Sequence, residues 1–236
     1  MAEQPVYVLA AAPHERVKLR DLFRSGPGTV MELMQNPGYT RASGWDLRTL
    51  DDPRIVEGEF LEVGYSDYKL IRTYEDGTVV LRAAADHSLL GWGREESRFA
   101  QKPRLNPIAL IELTHHFALF YQAILAYLTA SVQTIVFTVE LHGAMLGNGQ
   151  HLYLIPHVVG TFGWKLDSEK YPAPQADMSK QVEVASELLH RNPGAVAYRL
   201  IEKVYTWFGV PADQIPYVDA TNPQEPSVNI GSLEQV

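Results

Sequence analysis

Residues 68–84 have the sequence YKLIRTYEDGTVVLRAA, and their pattern predicts the centre of a β-sheet. Two alternating runs flank Glu75-Asp76-Gly77. An Asp-Gly dipeptide in that position is a strong β-hairpin signal, because glycine tolerates the positive φ that the turn requires. Residues 54–63 also alternate, just upstream. The pattern therefore predicts a three-stranded antiparallel meander over about residues 54–85.

A long buried helix is predicted next. Asn106-Pro107 combines a favoured N-cap with a proline at the first helical position, and apolar residues follow on all faces. Residues 113–139 contain no Asp, Glu, Lys or Arg. This run has polar interruptions, lacks a cationic flank and becomes β-branched in its second half. We interpret it as a buried helix followed by a strand, not as a membrane span.

The remaining elements complete an α+β fold. Residues 134–141 and 151–159 are predicted to form a second antiparallel pair, and two helices are predicted over 178–190 and from Asn192-Pro193 to Phe208-Gly209. We expect the meander and this second β-hairpin to pack on the long buried helix, together with the two C-terminal helices. Nearer the N-terminus we expect a strand at 6–9 and short helices over 14–24 and after Thr29.

The chain is expected to form one α+β domain over residues 1–209, followed by a tail. Residues 210–236 are punctuated by proline and contain no Lys or Arg. We expect this acidic tail to be extended or disordered, or to lie along a partner surface.

Composition narrows the classes of function. The 236 residues include no cysteine, which excludes disulfides, thiolate metal sites and cysteine nucleophiles and is typical of a cytosolic protein. The formal net charge is −8, so autonomous nucleic-acid binding is not expected, because phosphate neutralisation needs clustered cations. The N-terminal residues have no cationic region before an apolar run, and no signal peptide is expected.

The second hairpin carries the main candidate site. Alternation along the strand places Glu140 and His142 on one face. If His142 pairs with His151, then Glu140 lies opposite Tyr153, and His157 lies further along the same face. This set could bind a divalent metal or supply general acid–base groups. The alternative is an ordinary polar sheet face. No recognised ligand motif is present, so no cofactor is predicted.

Two weaker patterns also bear on chemistry. Asp67-Tyr68-Lys69 has the Asp-x-Lys spacing of metal-dependent nuclease cores, with Asp51 or Asp52 as a second carboxylate, although the match is short and also fits a simple strand start. His115-His116 lies inside the long helix, where adjacent residues point about 100° apart and cannot chelate one ion. Glu112 and His116 have i, i+4 spacing, which favours a helix-stabilising pair.

Seven short segments within residues 6–121 resemble a known family. They are Tyr7-Val-Leu-Ala10, Val30-Met-Glu-Leu-Met34, Ser43-Gly-Trp-Asp-Leu47, Pro53-Arg-Ile-Val-Glu57, Tyr74-Glu-Asp-Gly77, Leu89-Leu-Gly-Trp92 and Asn106-Pro-Ile-Ala-Leu110. The region resembles the part that follows the DNA-binding domain in bacterial AlbA/Schlafen-type regulator-like proteins. That DNA-binding domain is not recognised here. The resemblance implies an accessory, sensing or assembly module and transfers no functional residues.

These observations lead to two hypotheses of different classes. The first is a non-enzymatic regulatory, sensing or protein-interaction module of a bacterial cytosolic protein, which forms a homo-oligomer or binds a protein partner through the apolar helix or the tail. The second is a metal-dependent hydrolase or ligand-binding enzyme that uses Glu140, His142, His151 and His157. The two hypotheses differ in whether these four side chains converge in a pocket.

Overall fold

The structure is a computed structural model, and it describes residues 4–38, 44–91, 96–147, 149–155, 171–229 and 231. The strands are β1 (Val6–Pro13), β2 (Arg54–Val56), β3 (Phe60–Tyr65), β4 (Lys69–Tyr74), β5 (Val79–Ala84), β6 (Arg104–Leu105), β7 (Thr134–His142), β8 (Tyr153–Leu154), β9 (Met178–Ala185), β10 (Val218–Asp219) and β11 (Ser227–Val228). The helices are α1 (Val30–Gln35), α2 (Glu96–Gln101), α3 (Pro107–Ile124), α4 (Ser186–Arg191) and α5 (Pro193–Trp207).

Seven of these strands form one antiparallel sheet in the order β2-β3-β4-β5-β1-β7-β9. The N-terminal strand β1 lies inside the sheet, where it joins the meander to the later strands. The predicted meander is confirmed, with four strands instead of three. Glu57 and Gly58 adopt φ values of 53° and 74°, and this turn divides residues 54–63 into β2 and β3. The α+β fold class is likewise confirmed.

The two faces of the sheet have different environments. Tyr7 and Leu9 of β1 are 0% exposed and face α3, where the Tyr7 and Thr114 hydroxyls are hydrogen bonded at 3.0 Å. Val8 and Ala10 point the opposite way and are partly exposed. We call these two sides the helix face and the open face, and the register of the other strands assigns their residues to one or the other.

The long helix α3 is the centre of the core, as predicted. The Asn106 side chain accepts hydrogen bonds from the backbone N–H groups of Ile108 and Ala109, so the N-cap signal is also confirmed. Phe117 and Tyr121 pack edge-on against Phe137 of β7. Pro107–Tyr127 is long and apolar enough to cross a membrane, but 72% of its most apolar 18-residue window is buried inside the protein. That burial is expected of a core helix.

The predicted pairing of residues 134–141 with 151–159 is wrong. β7 pairs with β1 on one side and β9 on the other, so Glu140 lies opposite Val8 and Ser179 and not opposite Tyr153. β8 pairs in parallel with β6 instead. An apolar strand such as β7 buries more surface and satisfies more backbone groups between two long neighbours than at the edge of a local hairpin. His157 lies outside the described residues.

Two predicted helices also differ from the structure. Residues 178–190 form β9 and then α4, because Val182 and Val184 are β-branched and alternate onto the helix face beside β7. Residues 14–24 form bends and a turn, in which Leu19 makes a β-bridge with Leu128. The helices after Thr29 and Asn192 are confirmed, and each of these side chains caps its helix.

The described part of the tail packs against α5. Ile215 and Val228 are 5% and 6% exposed, and β10 and β11 form a short antiparallel pair. Glu225 accepts hydrogen bonds from Arg191 at 2.5 Å and from Asn192 at 3.1 Å. These contacts attach residues of the predicted tail to the helical layer.

Candidate functional site

A cavity of about 550 Å³ lies between residues 44–50 and the ends of β3 and β4. We call it the Lys69 pocket. The polar and aromatic side chains that line it are those of Trp45, Asp46, Arg48, Thr49, Tyr65, Tyr68 and Lys69. Its volume is within the range of small-molecule sites, which is about 300–1,000 Å³.

Lys69 is buried because of its position on β4. It is the first residue of the strand and points to the helix face together with Ile71, so that only 5% of it is exposed. Its Nζ donates a hydrogen bond to the backbone carbonyl of Asp46 at 2.6 Å. Burial lowers the pKa of Lys69 to about 8; the Asp46 carboxylate partly opposes this shift, whereas Arg48 adds to it.

The Asp46 carboxylate is engaged by Arg48. It accepts hydrogen bonds from the Arg48 backbone N–H at 2.8 Å and from Nε at 2.6 Å, and Nη2 lies 2.5 Å away. Asp46 is almost fully buried, whereas 39% of the Arg48 side chain is exposed. This two-point contact holds the guanidinium at the edge of the pocket, where solvent or a ligand can reach it.

Two residues of α3 lie behind this loop. Glu112 is 1% exposed and accepts a hydrogen bond from the Trp45 backbone N–H at 2.8 Å. His116 is one helical turn further along; burial lowers its pKa, although the nearby charges of Asp46 and Glu112 act in the opposite direction. The loop, β4 and the core helix therefore contribute to one buried polar cluster.

The rim of the pocket is apolar and aromatic. Among the described residues, six large hydrophobic side chains are exposed, and three of them line this pocket: Leu50, Tyr65 and Tyr68. The Tyr65 hydroxyl donates to the Asp51 carboxylate at 2.6 Å. Burial raises the pKa of Tyr68, and the charge of Asp46 contributes. Clustered exposed apolar groups of this kind favour contact with a ligand or a partner.

The candidate residues from the sequence are only partly brought together. His142 Nε2 lies 3.0 Å from Glu140 Oε2 and its Nδ1 lies 3.4 Å from Asp177, on the open face of the sheet. His151 instead pairs with the Ala173 carbonyl at 2.7 Å, and Tyr153 lies on β8. Within the described ranges, no group of three His, Asp or Glu side chains is arranged to hold a metal ion.

The Asp-x-Lys pattern contributes its lysine to the pocket, but its expected carboxylate partners have other contacts. Asp51 accepts the Tyr65 hydroxyl, and Asp52 accepts a hydrogen bond from Gln35 at 2.6 Å. Sequence reasoning therefore selected Lys69 for a different chemistry and missed Asp46 and Arg48. The sequence did contain one local indication of this site, an acid and an arginine two residues apart at Asp46 and Arg48, next to Trp45.

Comparison with protein-family models, curated proteins and solved structures finds no match to this chain.

Proposed function

We propose that this chain is a non-enzymatic sensing module of a bacterial cytosolic regulator, and that the Lys69 pocket binds a small organic anion as its signal. The observation that carries this proposal is the environment of the Lys69 ammonium. It is buried, it lines a cavity of about 550 Å³, and its acceptor among the described residues is a neutral backbone carbonyl.

The Lys69 ammonium is a buried charge whose hydrogen bond among the described residues goes to a neutral carbonyl and not to a carboxylate. A lysine ammonium has three N–H donors, and a charge in the protein interior is costly unless it is paired. The nearest acid of the loop, Asp46, already binds Arg48 at two points. An anionic group in the cavity would complete the hydrogen bonding of Lys69 and add a favourable charge interaction.

The lining also indicates the rest of the ligand. Trp45, Tyr65, Tyr68 and Leu50 surround the polar end with aromatic and aliphatic surface. A flat or apolar body would pack against these groups while its acidic group contacts Lys69 and Arg48. A carboxylate or phosphate monoester with an aromatic or aliphatic portion has this chemistry.

A hydrogen bond connects the pocket loop to the core helix α3, and this connection favours a sensing function. Glu112 on α3 holds the backbone of Trp45, so a ligand that reorders residues 44–50 also changes the contacts of the core helix. The resemblance of residues 6–121 to the non-DNA-binding part of bacterial regulator-like proteins supports the same class of function.

The test is ligand binding by thermal shift and calorimetry, with benzoate, phenyl phosphate and succinate as probes. At least one probe should stabilise the wild-type protein and fail to stabilise Lys69→Met, which keeps the aliphatic stem and removes the charge. Lys18→Met is the matched control, because the Lys18 side chain is 67% exposed. If Lys69→Met binds the same probe with unchanged affinity, the proposal is wrong.

The pH dependence of binding provides a second readout. An anion stabilises the charged lysine, so binding should raise the pKa of Lys69 above its value of about 8. Affinity should therefore be highest below that value and should fall as the pH rises through it. An affinity that stays constant between pH 7 and pH 9.5 would assign recognition to groups other than Lys69.

A further inference from the structure

The open face of the sheet has an arrangement of charges that the Lys69 pocket does not explain. The register places Val8 of β1 directly opposite Arg82 of β5 on one side and directly opposite Glu140 of β7 on the other. Neighbouring strands lie about 4.8 Å apart. Arg82 and Glu140 are therefore at equal distances from β1, with opposite charges, on the same face.

The same division extends across the sheet. On the meander side, Arg54, Arg72 and Arg82 lie on the open face. Glu62 lies there too, and it forms ion pairs with Arg54 at 2.6 Å and with Arg72 at 2.7 Å. On the other side, Glu183 of β9 shares the open face with Glu140. Arg82 and Glu183 are exposed. With three arginines and one glutamate, the meander half of the face is net cationic, whereas the half with Glu140 and Glu183 is net anionic, and β1 separates the two halves.

The strip between these halves is suited to close approach. Ala10 and Ala12 of β1, with Val80 and Val136 beside them, are apolar and partly exposed. Two sheets that pack face to face are about 10 Å apart, with their strands within about 30° of each other. Small side chains along the central strand permit that separation.

We propose that two copies of this chain pack through their open faces, about a two-fold axis that runs along β1. This rotation exchanges the two sides of the sheet, so β5 of each copy lies over β7 of the other. Arg82 of each copy then meets Glu140 of its partner, and the pair occurs twice. A closed, isologous interface of this kind produces a dimer and no larger assembly.

The size of the face is adequate for such a dimer. Seven strands about 4.8 Å apart, with about six residues of about 3.3 Å each, give a flat area of roughly 600 Å². Val6, Leu70 and Ala84 at one corner are only 4–6% exposed, so the interface uses the rest of the face. Side chains on a pleated sheet add accessible surface to the flat area, and stable interfaces bury about 800 Å² on each partner. Lys69 points to the helix face, so the dimer leaves its pocket open. This inference does not depend on the proposed ligand.

Charge reversal tests the interface. Sedimentation velocity from about 1 to about 100 µM should show a wild-type dimer, and Arg82→Glu or Glu140→Arg alone should weaken it by at least about tenfold. A mixture of these two variants should form a heterodimer, because both contacts then join opposite charges. The double variant Arg82→Glu/Glu140→Arg should dimerise again. Arg24→Glu, on an exposed loop residue, should leave the dimer unchanged.

Cross-linking tests the same interface without a change of charge. The chain has no cysteine, so Ala10→Cys introduces a unique thiol beside the axis. A short bismaleimide should link two copies of this variant, whereas Lys18→Cys should stay unlinked. The proposal is wrong if the wild-type protein is a monomer at about 100 µM, or if neither charge reversal weakens the dimer. It is also wrong if the reagent links Lys18→Cys but not Ala10→Cys.

Discussion

The Lys69 pocket and the Glu140–His142 pair are polar sites on opposite faces of one sheet. Lys69, Asp46 and Glu112 are 5%, 6% and 1% exposed, whereas the Glu140 and His142 side chains are 29% and 45% exposed. In the single chain water solvates the second site, where an exposed ion pair contributes about 0–1 kcal/mol. The first site must be satisfied by protein or ligand groups. Burial, more than residue type, therefore separates a candidate binding site from a solvated sheet face.

The largest expected effect lies in the backbone beside the pocket. A Cβ at Gly64 would overlap the carbonyl oxygen of Lys69, and Gly64 has a φ of +93°. We expect Gly64→Ala to lower the free energy of unfolding by about 3 kcal/mol or more, through steric overlap and backbone strain. Urea denaturation provides the measurement.

Gly58→Ala is the matched control for this change. Gly58 also has a positive φ, of +74°, but a Cβ there has no atom within 4 Å. Gly58→Ala should lower the free energy of unfolding only by the cost of placing alanine in a left-handed backbone conformation, about 1 kcal/mol. Equal losses in the two variants would mean that the contact between Gly64 and Lys69 does not constrain the pocket.

The next largest loss of stability is expected where the loop of residues 44–50 is attached to the core helix α3. Glu112→Ala removes the acceptor of the Trp45 N–H and leaves a buried cavity, so we expect a loss of about 2–4 kcal/mol. Glu140→Ala on the open face should cost less than about 1 kcal/mol. The two variants can be compared by the same denaturation assay, at a protein concentration at which the chain is monomeric. A larger loss for Glu140→Ala would reverse the comparison between the two sites.

These sites also mark the limit of sequence-based prediction. The meander, α3 and the cap of α5 followed from local signals: Asp76-Gly77, Asn106-Pro107 and Asn192-Pro193. The strands that pair with β7 could not be predicted from local signals. β1 and β9 are distant from β7 in sequence, and the nearer segment 151–159 was an equally plausible pairing partner. The Lys69 pocket depends on contacts between residues far apart in sequence, such as the hydrogen bond between Trp45 and Glu112, which are 67 residues apart. A pattern of neighbouring residues cannot reveal such a contact.

A smaller effect is electrostatic. The Asp46 carboxylate favours the charged form of Lys69, whose pKa is about 8. Asp46→Asn removes this charge and its two-point contact with Arg48, so the pKa of Lys69 should decrease further. Lysine-labelled NMR titration measures the change, with exposed Asp213→Asn as the control. If the pKa of Lys69 is unchanged in Asp46→Asn, the carboxylate does not act on the ammonium.

The smallest expected effect is at Glu140. Burial alone would raise the pKa of Glu140, but hydrogen bonds from His142 and Ser179 outweigh it and lower the pKa below 4.5. A carboxyl with a depressed folded-state pKa stabilises the protein above its unfolded pKa, and this stabilisation is lost as the pH falls through the folded value. Glu140→Gln should therefore cost less than about 1 kcal/mol at neutral pH, at a protein concentration at which the chain is monomeric.

The pH dependence of this variant distinguishes a solvated pair from a buried site. The difference in unfolding free energy between Glu140→Gln and the wild-type protein should vanish once the pH falls below the folded-state pKa, because the carboxyl is then neutral in both the folded and unfolded states. Added salt at neutral pH should also reduce the difference, since water and ions screen exposed charges. If Glu140→Gln lowered the free energy of unfolding by several kcal/mol, independently of salt, Glu140 would be as strongly engaged as the groups around Lys69. The two faces of the sheet would then not differ in this respect.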